Sequence, residues 1–312
     1  MIWEFTYTQR QFQWLLRSYL IGCSISLALL FAAYATGIKL GASDDTRYTG
    51  GAMNVNSLAR IIDIGITIAV YLASQSTSKS RLLYWLFVPP ACLGVLLTGS
   101  RVGAIALAAA IGIGFLIAAA QVKRSLILLG LGTIIAAWLV PSIIPAALRD
   151  RVMEGREAST FELRQQIWKA GLECWAEAPI IGVGASGFVT AVSANRSRAL
   201  VAHNTFVQIL VDNGIVGIGL MLGVWGILAG MAWRLPRNER ILSLGVFAIW
   251  VIASMGGSLE YAKDTWLIYA WIMVQSQLVR ESRMLEQHQA FVRNGCSQSR
   301  SGRREVTNAV SQ

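Results

Sequence analysis

The sequence predicts an all-α fold: a polytopic membrane helix bundle of about eight spans, with one large outer loop containing an amphipathic helix. Three observations predict it. Only 14% of the 312 residues are charged, against about 25% in a typical soluble domain, and mean hydropathy is +0.52. The apolar residues fall in blocks long enough for membrane helices, which need roughly 20 residues to cross a hydrocarbon core of about 30 Å. Between two sets of such blocks lies one long polar stretch, Ala146 to Asn204.

By length and apolar content the spans are placed at 14–38, 57–74, 82–98, 102–120, 125–145, 205–233, 241–258 and 265–280. In the first, Arg17 sits near the start, where its stem lies along the helix and its charge reaches the interface. Pro89 and Pro90 should kink the third. Only Gln121 to Ser125 join the fourth and fifth, which predicts a tight antiparallel hairpin. The chain thus divides into a five-span block (1–145), an outer loop (146–204), a three-span block (205–280) and a polar, Ser- and Arg-rich tail (281–312) expected to be disordered.

The net charge is +10, but the basic residues cluster in short connections between apolar blocks. That is the positive-inside pattern of a membrane protein and not a nucleic-acid footprint, so no nucleic-acid partner is expected. The pattern predicts cytoplasmic termini and an outward-facing 146–204 loop. Four cysteines, Cys23, Cys92, Cys174 and Cys296, show neither pairing nor metal spacing. No cleavable signal peptide is expected, since Met1 to Gln13 is polar and aromatic and the next apolar run exceeds an h-region.

Inside the loop, Ser159 and Glu162 match a capping box, and Pro179 should end the helix they open. At helical spacing Arg164, Trp168, Gly171 and Trp175 share a face. That face either anchors the helix at the membrane interface or raises an arginine from an aromatic strip toward a ligand. Gly182, Gly184 and Gly187 fit G-x-G-x-x-G, but they follow a proline-terminated helix where a dinucleotide site needs a preceding strand. The segment reads as a flexible turn back to the membrane. Arg149, Arg151 and Arg156 alternate with acids and read as a solvated patch.

Ser100 can cap the fourth span, leaving Arg101 in its first turn. A cation opposes the helix dipole there, which favours an anionic ligand beside it; snorkelling to the interface is the alternative. His203, one of two histidines, precedes Asn204, a good N-cap for the sixth span. A neutral imidazole there can take a proton at neutral pH. Asp212 lies two turns further in, and an ionisable residue inside a span is a functional hypothesis by default. Asp63 earns the same flag.

Taken in order, T-G-S-R at 98–101, R-x-x-I-W at 164–168, P-I-I-G-V-G-x-x-x-F at 179–188 and A-H-N-T-F-x-Q-I-L-V-D-N-G-I-V-G at 202–217 resemble the O-antigen ligase/polymerase family, as does G-G-A-M-N-V-N-S-L-A at 50–59. The resemblance covers approximately 45–280. It implies metal-independent, inverting transfer of a glycan from undecaprenyl pyrophosphate to a sugar hydroxyl, with lipid A–core as the ligase acceptor, at the periplasmic face of the inner membrane. It implies no cofactor. Carried over by motif, His203 is the general base, and Arg101 and Arg164 engage the pyrophosphate. Trp168, Asn204 and Asp212 join the two arginines as expected substrate contacts.

Repeat-unit polymerases and protein O-oligosaccharyltransferases share these motifs, so the acceptor stays open. A transporter or flippase, or an inactive remnant, is the alternative from another class. Family members usually carry more spans, so this chain is expected to be truncated, to have a misassigned start, or to be a shorter relative.

Overall fold

The computed structural model describes residues 6, 8–37, 48–49, 54–76, 80–119, 158–193 and 201–310. The expected span at 125–145 and the Arg149–Arg156 patch lie outside the described residues. All regular structure among the described residues is helical: α1 (Gln9–Thr36), α2 (Val55–Gln75), α3 (Ser80–Leu97), α4 (Arg101–Ala119), α5 (Ala158–Glu177), α6 (Gly187–Ser193), α7 (Thr205–Trp233), α8 (Arg237–Ser254) and α9 (Lys263–Val310).

Five of these, α1 to α4 and α7, are long and apolar enough to cross a membrane. The chain is a polytopic helical membrane protein. The expected spans at 241–258 and 265–280 fall on α8 and the first part of α9, whose ends are more polar: Arg237, Glu239 and Arg240 open α8. The tail expected to be disordered continues α9 as helix to Val310. Residues 281–310 contain no proline and only two glycines, Gly295 and Gly302, so nothing in the sequence stops the helix once the membrane-level turns have nucleated it.

The bundle is arranged around α2. A helix that is apolar on every side has to be buried on every side, and 16 residues of α2 from Val55 to Ala73 are. It packs against α1, α3, α4 and α8. By contrast α1 buries one stripe, Phe12, Leu16, Leu20, Cys23, Leu27, Leu30 and Ala33. Trp14, Ile21, Ile25 and Leu29 face outward, as a lipid-facing helix requires. Pro89 and Pro90 lie inside α3.

The 98–100 turn follows from side-chain capping. Gly99 takes the left-handed φ of 62°, and the Ser100 hydroxyl accepts from the Gly103 amide at 3.0 Å, starting α4. In the same way Asn54 accepts from the Asn56 amide to start α2, and Asn204 accepts from the Phe206 and Val207 amides to start α7. Helix α5 opens at Ala158, slightly before the expected cap at Ser159, and ends at Glu177, two residues before Pro179.

Helix α7 is broken at Gly214, which has φ 65° and ψ −163°. In an unbroken helix the Val211 and Asp212 carbonyls would accept from the Ile215 and Val216 amides. Here they accept from Val183 (2.9 Å) and Gly184 (2.9 Å), while the Ile215 and Val216 amides donate to the carbonyls of Pro179 (3.0 Å) and Ile180 (3.2 Å). The loop exchanges hydrogen bonds with the opened helix, so these two carbonyls and two amides are satisfied. The glycine segment expected as a flexible turn is therefore a docked plug. A Cβ at Gly182 (φ 72°) would lie 2.5 Å from the Asn213 nitrogen, and one at Gly214 would lie 2.6 Å from the Gly182 nitrogen. Neither position has room for a side chain.

Candidate functional site

The N-terminal ends of α2 and α4, the segment before α7 and the turn after α8 meet around a cavity of about 260 Å³. Its polar lining is Asn54, Asn56, Ser57, Arg60, His203 and Ser258. The caps cross-link the wall: the Ser100 hydroxyl donates to Asn56 Oδ1 at 2.8 Å, tying α4 to α2. The Thr205 hydroxyl donates to the Gly257 carbonyl (2.9 Å) and accepts from the Leu259 amide (2.9 Å), tying α7 to the α8–α9 turn.

His203 is held in this lining by a left-handed backbone, φ 49°, which is uncommon outside glycine but is adopted by histidine, asparagine and aspartate more often than by other residues. The surrounding bonds over-determine that conformation. The Trp168 indole N–H donates to the Ala202 carbonyl at 2.7 Å. The Ala202 amide donates to Gln208 Oε1 at 3.3 Å, and Asn204 caps α7 on the other side. Burial lowers the imidazole's proton affinity below its ordinary value of 6.5, and the nearby Arg164 guanidinium lowers it further. His203 is therefore held neutral, the form that takes up a proton.

The other expected residues divide. Arg164 stands on α5 close enough to act on His203. Arg101 is exposed at the start of α4, directly before Val102 and Gly103 of the cavity lining. Trp168, Asn204 and Asp212, expected as substrate contacts, each make hydrogen bonds that hold the framework. The Trp168 indole N–H and the Asn204 carboxamide oxygen are engaged as described above. Asp212 is 1% exposed. One of its oxygens accepts from the Phe188 amide at 2.6 Å and the other from Gln208 Nε2 at 3.0 Å. It thereby fastens α6 to α7, above a small core of Ile167, Phe188, Val192, Ala202 and Val211.

The structure adds three residues that sequence reading missed. Arg60 lines the cavity from α2 and is 5% exposed. Its Nε donates to Asp264, in the first turn of α9, at 2.6 Å. Arg60 lies inside a predicted span, which was a usable signal; its partner is 204 residues away and gave none. Glu260 lines a second cavity, of about 460 Å³, with Asn213, Ile181, Ile209 and Tyr261. Burial raises the proton affinity of its carboxyl. Among the described residues, no group of three His, Cys, Asp or Glu side chains is placed to hold a metal ion.

Comparison with known proteins bears on this geometry. Residues 85–222 match the family model described as O-Antigen ligase, a window that contains Arg101, Arg164, His203 and Asp212. Through that segment the chain is similar to the O-antigen ligase family. The O-antigen ligase of Pseudomonas aeruginosa is 27% identical over 210 residues, 67% of this chain and 50% of that protein. The chain spans about half the length of this curated relative. No solved structure matches. In this chain the matched window supplies the histidine side of the cavity and the arginines near it, while Arg60 and Asp264 come from outside it.

Proposed function

We propose that the chain is a ligase-type glycosyltransferase, moving a glycan from undecaprenyl pyrophosphate to a sugar hydroxyl of lipid A–core. The observation that carries this reading is a neutral His203 facing a polar cavity, with a guanidinium close by. The acceptor hydroxyl oxygen attacks the anomeric carbon from the side opposite the leaving group, inverting it. The new C–O bond forms as the bond to phosphate breaks, and the electron pair leaves with the diphosphate. The hydroxyl proton passes to His203. Such a base contributes about 10²–10⁴ in rate.

Charge accumulates on the diphosphate, and guanidinium forks match phosphate oxygens while keeping their charge. Arg101 and Arg164 take that role without a metal ion. The N-terminal ends of α2, α4 and α7 converge on the same place, adding the positive ends of three helix dipoles. The basic connections around Arg81 and from Arg234 to Arg240 lie at the opposite ends of these helices. The positive-inside rule then puts the site on the periplasmic side of the inner membrane and both termini in the cytoplasm. The 146–204 loop is the catalytic loop in this reading.

The test is a transfer assay in nanodiscs with a polyprenyl-pyrophosphate-linked oligosaccharide and lipid A–core, with and without chelator. Transfer that is insensitive to chelator, absent in His203→Ala and reduced at least 100-fold in Arg101→Ala is expected. Elongation of the donor in place of transfer to lipid A–core would reassign the chain as a polymerase. Transfer that survives His203→Ala would remove the proposed base.

A further inference from the structure

Resting on that reading, we propose that the cavity beneath His203 is the acceptor subsite, holding one uncharged sugar ring whose hydroxyls are read by the Arg60–Asp264 pair and the asparagine and serine side chains of its walls. Three observations carry this: the charge balance of the cavity, its hydrogen-bonding chemistry and its size.

Arg60 is six residues past the Asn54 cap, about 9 Å along the helix axis, so it stands at the inner end of the cavity. Its charge is met by Asp264, leaving no net cation to attract a phosphate. An ion pair taken out of water loses much of its attraction to desolvation, and apolar residues of similar size often serve stability as well. Stability therefore gives little reason for an arginine and an aspartate here. Recognition gives one. The contact to Asp264 uses Nε, and among the described residues the guanidinium makes no other hydrogen bond. The remaining donors of its planar fork belong to a side chain that lines the cavity.

The walls complete the pattern. Asn54 and Asn56 each commit the carboxamide oxygen to holding the structure, to the Asn56 amide and the Ser100 hydroxyl respectively. Their NH₂ groups remain as donors, and the Ser57 hydroxyl can both donate and accept, while the Ser258 hydroxyl, donating to Gln208 Oε1 at 3.4 Å, remains as an acceptor. Closely spaced donors beside groups of both kinds suit hydroxyls, which give and take hydrogen bonds in turn. A volume of about 260 Å³ falls just under the roughly 300–1,000 Å³ of sites for drug-sized ligands, so it suits a single ring. The acceptor sugar then rests under His203, and the donor diphosphate stays at the rim with Arg101 and Arg164.

Binding of radiolabelled lipid A–core and, separately, of polyprenyl-pyrophosphate-linked oligosaccharide to the full chain in nanodiscs tests this without requiring turnover. Arg60→Lys changes the fork, and Ser57→Leu fills the cavity while leaving the ion pair intact, so one variant controls for misfolding of the other. Both are expected to weaken lipid A–core binding by roughly ten- to a hundredfold and to leave donor binding within twofold. Loss of donor binding in place of acceptor binding overturns the proposal, as does unchanged acceptor binding in both variants or a wild type that does not bind lipid A–core. A wild type that binds lipid A–core but transfers nothing sinks the ligase reading while leaving the subsite standing.

Discussion

The α2-centred bundle and the docked loop above it are held together by different means. The bundle buries a long apolar cluster, Leu58, Ile62 and Ile66 on α2 against Leu16 and Leu30 of α1, Val95 of α3 and Ile249 of α8. The loop unit buries five apolar residues and relies on directed bonds: the backbone exchange at Gly214, the Asp212 latch and the Trp168 clamp. Packing is forgiving of residue identity when volume is kept. Directed bonds are not, because a buried partner left unpaired costs its full desolvation. The protein therefore has a tolerant frame carrying an intolerant site.

Gly214→Ala is the severest way to break this contrast. Alanine would have to adopt a positive φ with ψ near −163°, a conformation essentially confined to glycine, costing about 1–3 kcal/mol, with its Cβ 2.6 Å from the Gly182 nitrogen. The loop is expected to leave its seat, seen as rapid proteolysis at 178–193 and loss of transfer, with the bundle still folded. Ile62→Ala, at a fully buried bundle position, is expected to cost about 2–5 kcal/mol of stability while leaving turnover of the folded protein unchanged. Loss of turnover in that variant at full occupancy of the fold would erase the distinction between frame and site.

Asp212→Asn keeps the shape but sets an NH₂ group where one oxygen accepted, so only one of the two donors, the Phe188 amide and Gln208 Nε2, keeps its partner, costing about 1.5–3 kcal/mol. It should raise amide exchange around Phe188 and slow transfer about tenfold, with little change in global unfolding. The smallest effect sharpens the comparison at His203. Its proton affinity is lowered first by burial and then by Arg164, so the acid limb of the pH–rate profile should lie below pH 6.5 in the wild type. Removing the nearby positive charge makes protonation easier, so Arg164→Gln should move that limb upward toward 6.5, on top of any loss of rate. A limb that stays in place would show that burial alone sets the histidine.

Much of the frame was legible from the chain. Seven expected spans fall on described helices, five of them long and apolar enough to cross a membrane, because hydropathy over 20 residues is a local property. Caps at Ser100 and Asn204 were readable because a cap needs only the residues that follow it. The amphipathic helix of the loop was readable for the same reason, and so was the end imposed by Pro179. At the site, residue types pointed to His203, Arg101 and Arg164 as candidates. They also pointed to Trp168, Asn204 and Asp212, and did not show the framework bonds that these three make.

The sequence by itself determined where the helices lie, which of them are greasy enough for a membrane and which polar residues interrupt them, since each depends on neighbours in the chain. Only the tertiary structure decided that His203 faces a cavity floored by Arg60, that Asp264 holds that arginine from 204 residues away, and that the P-I-I-G-V-G loop completes the broken helix α7. Those features are made of long-range partners and of backbone N–H and C=O groups. Every residue but proline carries both, so the pattern of side chains does not encode which of them will meet.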